Sequence, residues 1–368
     1  MKAIAIGSAK SEPGKLTYGS FDALDLPTGT AEKIPIMICQ GLEEGPTFFL
    51  TANVHGNELT GIGVIHELGT QELARELKGT VVAFPTISPS GLRRADRSPA
   101  YDARDPNRLF PEGRFAIEEE LDEDEKHPKL YEQVAQKIYG YCEQYADYHL
   151  DFHNHSIRSV PYAILDRVFF KDEAEKADAE RLSGQQREMV EAFGVMITAD
   201  FPAKKYLKLK YYRTLSGATL NTLRIPAFTV ELGANTVIFP NIVSGSVKAT
   251  RNVLKWAGML PGAKEEITEF EVPKPPERLQ RIDHPRAKQA GIIKFLVDPG
   301  EQVNQGQPIA SFTDILGRPH GDGFIRTEYD GYMIALRSAM TVYANETIAE
   351  MGIRDEEPTI AQMPSKKK

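Results

Sequence analysis

Hydrophobic spacing changes in kind along this chain of 368 residues. Before residue 45, stretches such as KIPIMICQG alternate apolar with polar positions, the period of half-buried strands, and predict a lead-in hairpin. From Thr47 the pattern shifts. TFFLTANV is an unbroken apolar run of strand length. ELTGIGVIHELGTQELARELKG repeats apolar residues every three or four positions and predicts one helix, ended by Gly79. TVVAFPTIS predicts a second buried strand. KLYEQVAQKIYGYCEQYA predicts an amphipathic helix leading into the strand YHLDFH, and VPYAIL a further strand. A polar helix is expected over 172–193, followed by the strand VMITAD. IPAFTVEL predicts the next buried strand, and 241–259 the last helix. Strands alternating with helices predict an α/β domain with a largely parallel or mixed sheet.

Two stretches fall outside that alternation. Residues 89–128 are polar and rich in Arg, Asp and Pro. So long a connection inside a compact domain is usually functional, although its acidic part, 118–126, reads as a solvated surface segment that holds no metal. Around Phe270 the composition shifts again. EVPKPPERLQ predicts a linker, drawn at 266–285, after an α/β domain over 1–265. Beyond it, short alternating strands and Gly turns predict a small all-β domain over 286–353, then a tail over 354–368.

Charge and cysteine usage narrow the class. The net charge of -8 argues against nucleic acid or an anionic membrane surface as partner. No segment reaches the roughly 20 apolar residues of a membrane span, and MKAIAIGSAKSEPGK lacks an apolar core of signal-peptide length. Cys39 and Cys142 are too few for a disulfide framework and fit no Cys-based metal site. They read as buried thiols in a reducing cytoplasm, the expected location.

The chemistry sits where three apolar runs end. NVHGNE carries His55 and Glu58, DYHLDFHNHS carries Asp151, His153 and His155, and TVELG carries Glu231. Each motif is weak alone, since H-x-x-E occurs by chance in many helices. Together, two His and a Glu make a three-ligand zinc set with an open position, and a further Glu can activate a water there. Sites in open α/β sheets form beyond strand ends. His153 and His155 face one side of an extended strand, so either can ligate. His153 is preferred, because Asp151 precedes it and can orient its imidazole. A buried Glu231 is costly unless functional or paired, so it reads as a general base or as the partner of an arginine. The loop holds Arg93, Arg94, Arg97, Arg104 and Arg108. Arg108, between Asn107 and the apolar Leu109-Phe110, reads as an inward-facing fork for a carboxylate.

NVHGNE, SPSG…DPNRLFP, LDFHNHS and TVELG, in this order, resemble the succinylglutamate desuccinylase/aspartoacylase family of the zinc carboxypeptidase clan. The likeness covers residues 45 to 260, and the C-terminal β region resembles the family's second domain. It implies a zinc-carboxypeptidase-like α/β/α fold with one zinc per chain on His55, Glu58 and His153. It implies Glu231 as general base, Asn107 and Arg108 as holders of a substrate carboxylate, and Arg97 as the arginine that polarises the carbonyl. Pro106 departs from the family's usual Leu, and the acidic insertion has no family counterpart. The β region is also similar to biotinyl and lipoyl carriers, but RSAMTVY offers no lysine for modification, so a capping role is expected.

The reading is a zinc-dependent hydrolase that cleaves the amide bond of a small N-acyl amino acid, compatible with a homo-oligomer. Its rivals are a zinc carboxypeptidase acting on small peptides and a binding protein with an inactive cleft. The presence of Glu231 speaks against the second.

Overall fold

A computed structural model describes residues 2–115, 127–156 and 158–364. The acidic insertion 118–126 lies outside the described residues. Most of the expected elements form. A large mixed sheet runs, by residue range, in the order 15–25, 31–40, 78–84, 43–52, 148–155, 227–234, 162–165, 196–199, 279–283, 349–354, 331–336 and 302–303. At its centre Glu43–Ala52, Tyr148–His155 and Ala227–Ala234 are parallel neighbours. Tyr162–Leu165 then runs antiparallel to Ala227–Ala234, and Met196–Ala199 parallel to Tyr162–Leu165.

The central strands explain how one sheet holds both a core and a site. Side chains alternate across a strand. On Tyr148–His155, Leu150 and Phe152 enter an apolar cluster with Phe228, Val230, Val64 and Val253, packed under the helices Thr60–Leu68, Glu173–Phe193 and Pro240–Trp256. His149, Asp151 and His153 take the opposite face and are buried. That face is covered by the Leu215–Asn221 helix and the loops near Asn107, and the helix Leu130–Tyr145 packs over a second apolar cluster beside it.

Differences from the expected elements have local causes. The helix expected to run to Gly79 is two helices, Thr60–Leu68 and Gln71–Glu76. Thr70 between them is extended and its side chain accepts from the Leu73 amide, a cap that starts a new helix. The polar stretch after Pro89 holds the short helix Pro89–Arg94 and a 3-10 turn at Pro106–Arg108. Leu279–Asp283, inside the segment read as a linker, is a strand parallel to Met196–Ala199. The prolines before it mask its alternation. The C-terminal region is all-β. Strands 291–295, 308–313, 319–326 and 341–342 form an antiparallel sheet of their own, while 279–283, 331–336 and 349–354 extend the large one. Ile360–Gln362 pairs with Val168–Phe170.

The buried Arg167 anchors this C-terminal stretch. Its guanidinium donates to the carbonyls of Phe201, Asp200, Glu357 and Pro358 and to the Asp355 carboxylate, at 2.9 to 3.3 Å. Cys39 and Cys142 are buried and unpaired. No helix among the described residues is long and apolar enough to cross a membrane.

The seat of the Thr60–Leu68 helix on the central strand requires a glycine. A Cβ at Gly61 would stand 2.4 Å from Phe152 Cβ and 2.9 Å from Ala52 Cβ. Gly61→Ala is therefore expected to lose about 1–3 kcal/mol in urea unfolding, because overpacking outweighs the gain in helix propensity. An unchanged or raised midpoint would mean that the helix is not held at this distance.

Candidate functional site

The site is assembled from the loop 53–58, the end of Tyr148–His155, the turn 105–108 and Glu231. The loop is templated by asparagines. Asn53, in the left-handed region at φ 59°, donates through Nδ2 to the carbonyls of His55 and Glu58 at 3.0 and 2.8 Å. Asn154 accepts the Thr60 amide at 3.0 Å and donates to the Ala234 carbonyl at 2.7 Å. It thus caps the helix from a neighbouring strand, since Leu59 offers no side-chain cap. The Asn154 amide also donates to Glu58 Oε2 at 3.1 Å.

His55, Glu58 and His153 converge, with donor atoms all within 4.8 Å of one another and none of the residues more than 4% exposed. His55 Nδ1 lies 2.7 Å from Glu58 Oε1 and His153 Nδ1 lies 2.9 Å from Glu58 Oε2. The far nitrogens are held by carboxylates. His55 Nε2 is 3.0 Å from Asp105 Oδ1, and His153 Nε2 is 2.9 Å from Asp151 Oδ2. A polar chain reaches further back. The Thr51 hydroxyl donates to Asp151 Oδ1 at 2.6 Å, so its oxygen accepts from His149 Nε2, 2.8 Å away. Two imidazoles with Nδ1 inward and Nε2 fixed by carboxylates, beside a buried Glu, are the donor chemistry of a zinc site, and the residues fit such an ion.

The electrostatics agree with that tight pairing. Burial alone would raise the Glu58 carboxyl, but His55 and His153 outweigh it and hold it well below the usual range. Burial likewise opposes the His153 imidazolium, and Asp151 and Glu58 outweigh it and raise that group. Glu231 differs. Burial, reinforced by the Glu58 charge, raises its carboxyl. Its Oε2 is buried without a hydrogen-bond partner among the described residues, and it lines the same cavity as the cluster.

The remaining expected residues surround this cavity of about 180 Å³. Arg97 is half exposed and reaches Asp105 at 2.9 Å and Glu58 at 3.4 Å. Asn107 accepts the Leu215 amide at 2.8 Å and stands 3.4 Å from His153 Nε2. Arg108 lies 4.2 Å over the Tyr211 ring and donates to the Asn107 carbonyl at 2.7 Å. His155 lines the same cavity but stands outside the cluster, and its Nε2 pairs with Glu350 at 2.9 Å.

Residues missed from the sequence also line or support the cavity. Asp105 stands immediately before Pro-Asn-Arg, and a carboxylate beside an expected arginine motif was a usable signal. Asp166, Asp200, Tyr211 and Arg281 gave none, because they are distant in sequence. Arg281 and Glu350 come from the C-terminal strands. Arg281 Nη1 lies 3.6 Å from Glu350 Oε2 and 3.4 Å from the Tyr162 hydroxyl.

Comparison with known proteins follows the same lines. The profile of the succinylglutamate desuccinylase/aspartoacylase catalytic domain matches residues 44–257. The N-alpha-acetyl-L-2,4-diaminobutyric acid deacetylase of Halomonas elongata is 26% identical over 333 residues, covering 87% of this chain and 85% of that protein. A succinylglutamate desuccinylase from Silicibacter superposes with a TM-score of 0.72 at 18% identity, over 96% of this chain and 100% of the other. The product-bound ectoine utilization protein of Ruegeria pomeroyi does so at 0.70 and 20% identity, over 92% and 95%. These likenesses in structure show a shared fold.

The Glu350 contact has a measurable consequence. Burial would raise its carboxyl, but Arg281 and His155 lower it from the usual 4.5 to about 2. A depressed folded-state value stabilises the fold above the unfolded value and loses that contribution as pH falls through the folded one. The stability gap between the wild type and Glu350→Gln is thus expected to be on the order of 3 kcal/mol at neutral pH. It should shrink as pH falls from 4.5 toward 2 in urea titrations. A gap independent of pH would remove the charged pairing.

Proposed function

We propose that this chain, which belongs to the succinylglutamate desuccinylase/aspartoacylase family, is a zinc-dependent hydrolase that releases the acyl group from a small N-acyl amino acid. The observation that carries the reading is the pairing of two inward imidazoles and a buried carboxylate with an unpartnered Glu231 oxygen in one cavity. The Halomonas relative, by its name, removes an acetyl group from an N-acyl amino acid, which supports the reaction class.

His55, Glu58 and His153 would hold the zinc. Bound there, it supplies a Lewis acid that polarises the amide carbonyl and acidifies a water. Glu231 takes the proton of the attacking water onto its free oxygen. A raised carboxyl is a stronger base than an ordinary one, and after attack it passes the proton to the leaving nitrogen. The C–N bond then breaks, and the products are a carboxylate and a free amino group. Arg97, half exposed at the cavity mouth, donates to the carbonyl oxygen as negative charge builds there. Arg108, over the Tyr211 ring, turns its remaining donors to the substrate carboxylate, and Asn107 braces the turn. Asp105 and Asp151 keep the imidazoles in the tautomer that points Nδ1 inward. A cavity of about 180 Å³ suits a substrate of amino-acid size.

Purified protein loaded with zinc should cleave members of an N-acyl amino acid panel and leave their methyl esters and blocked dipeptides largely untouched. Preference for blocked dipeptides would turn the reading toward a carboxypeptidase. Elemental analysis should find about one zinc per chain in the wild type and in His155→Ala, and a loss in His55→Ala and His153→Ala. Retention of metal in the latter two would overturn the ligand set. Glu231→Gln should keep the fold and the metal yet lose on the order of 10²-fold or more in kcat. Near-normal turnover would remove Glu231 from the mechanism.

A further inference from the structure

The cavity wall carries an arginine that the hydrolytic reading leaves without a task. Arg281 belongs to the strand Leu279–Asp283, beyond the matched catalytic region. That strand runs parallel to Met196–Ala199, in a register that sets Gln280 beside Ala199. Continued by one residue, the register brings Arg281 alongside Asp200, just past the carboxyl end of the neighbouring strand. Ligand sites in open α/β sheets form at such ends. Arg281 lines the cavity, and its side chain is 12% exposed.

A guanidinium so buried needs acceptors for its five N–H donors. Arg167, which bonds the backbone of Asp200, meets that need with four carbonyls and the Asp355 carboxylate. Arg281 does not. Its Nη1 reaches the Tyr162 hydroxyl at a long 3.4 Å and lies 3.6 Å from Glu350 Oε2. Its Nη2 lies 3.9 Å from Asp200 Oδ1. The last two distances exceed hydrogen-bond length. Its Nε is buried with no hydrogen-bond partner among the described residues. Nε and Nη2 form one edge of the guanidinium, so a whole side-on fork is left without an acceptor.

Arg108 approaches the same place. Burial raises the Asp200 carboxyl and the Tyr211 hydroxyl, and the charges of Arg281 and Arg108 both oppose it. Both guanidiniums therefore stand near the same two residues. Arg108 pairs with no carboxylate among the described residues. The other charges nearby are largely spoken for. Arg167 is held by Asp355, Asp105 by His55 and Arg97, and Glu350 by His155. Glu231 serves the attacking water in the reading above. Asp166 accepts from the neutral Tyr206 and Ser216 hydroxyls. Burial, reinforced by the Asp200 charge, pushes its carboxyl up to about 7, so it carries only part of a charge at neutral pH. Two arginines thus face little more than one carboxylate, and the cavity favours a further anion there.

We propose that Arg281 is a second anchor of the substrate's carboxylate, which it grips together with Arg108, so that the C-terminal β region completes the binding site. The proposal rests on the deacylase reading and adds a residue that this reading does not use. A carboxylate offers about four lone-pair sites, enough for forks from two arginines. The contacts that now hold Arg281 are all long, so a small turn of the side chain brings its Nε–Nη2 edge to the bound group. A carboxamide in the same place carries no charge and sets its own N–H donors against those of the arginines.

Calorimetry on the purified full-length chain with a panel of free L-amino acids, each against its carboxamide, measures the anchor without turnover. The best-bound acid should bind more tightly than its amide. Arg281→Gln, checked for folding by circular dichroism, should weaken the acid roughly 10- to 100-fold and the amide by less than about threefold. Arg281→Lys keeps the charge without the fork and should recover only part of the difference. Turnover of the N-acetyl forms should show the same loss of acid preference, carried by KM with kcat nearly unchanged. Equal losses for acid and amide would mean that Arg281 only supports the wall, and would overturn the proposal. So would an undiminished acid preference in Arg281→Gln, or binding of no acid by the wild type. Should Arg281→Gln misfold, an undiminished preference in Arg281→Lys decides against it. Acid preference lost in Arg108→Gln alone would remove the second anchor and leave the hydrolytic reading standing. Acid-selective binding that depends on Arg281, without cleavage of any N-acyl amino acid, would keep the anchor and remove the hydrolase.

Discussion

A carboxylate held between two imidazoles, all three nearly inaccessible to solvent, is the constraint on which the rest of this structure turns. Ionisable groups survive burial only when each is answered by another. Glu58 answers His55 and His153, and Asp105 and Asp151 answer the far sides of the same rings. Thr51 and His149 extend the chain into the sheet. Removing Glu58 would leave the Nδ1 atoms of both His55 and His153 without their carboxylate partner. The loops that carry them are accordingly tied down by side-chain hydrogen bonds from Asn53 and by the Asn154 amide.

That arrangement comes from backbone placement. His153 sits on a central strand flanked on both sides by parallel neighbours. His55 and Glu58 sit on a loop braced by Asn53 from within and by Asn154 from the adjacent strand. The Thr60–Leu68 helix that follows presses Gly61 against Phe152, one residue before His153. Apolar packing on one face of the strand thus fixes the position of ligating atoms on the other.

The C-terminal strands are part of this economy of charge. Arg281 and Glu350 arrive from positions far down the chain and stand beside His155, Tyr162 and Asp200. Arg167 ties the 355–358 segment to the carbonyl of Asp200. One residue lining the cavity, Arg281, and its partner Glu350 therefore lie beyond the matched catalytic region, which ends at 257.

The sequence by itself determined the alternation of strands and helices, the α/β class and the family, because periodicity and short motifs are local properties. NVHGNE, LDFHNHS and TVELG each mark the end of an apolar run, and such an end is visible without a structure. The two-residue period of the strand puts His149, Asp151 and His153 on one face. Tertiary structure alone decided which groups meet. The split at Thr70 depends on a single capping bond, and the strand at 279 on a partner strand some eighty residues earlier in the chain. His155 lies on the same face as His153, yet it is claimed by Glu350, nearly two hundred residues away. Asp166 and Asp200 look like ordinary turn residues in the sequence. They become a buried acidic pair only because parallel pairing sets two strand ends side by side. Pairing between distant strands is a cooperative property of the whole sheet, and no local pattern of residues encodes it.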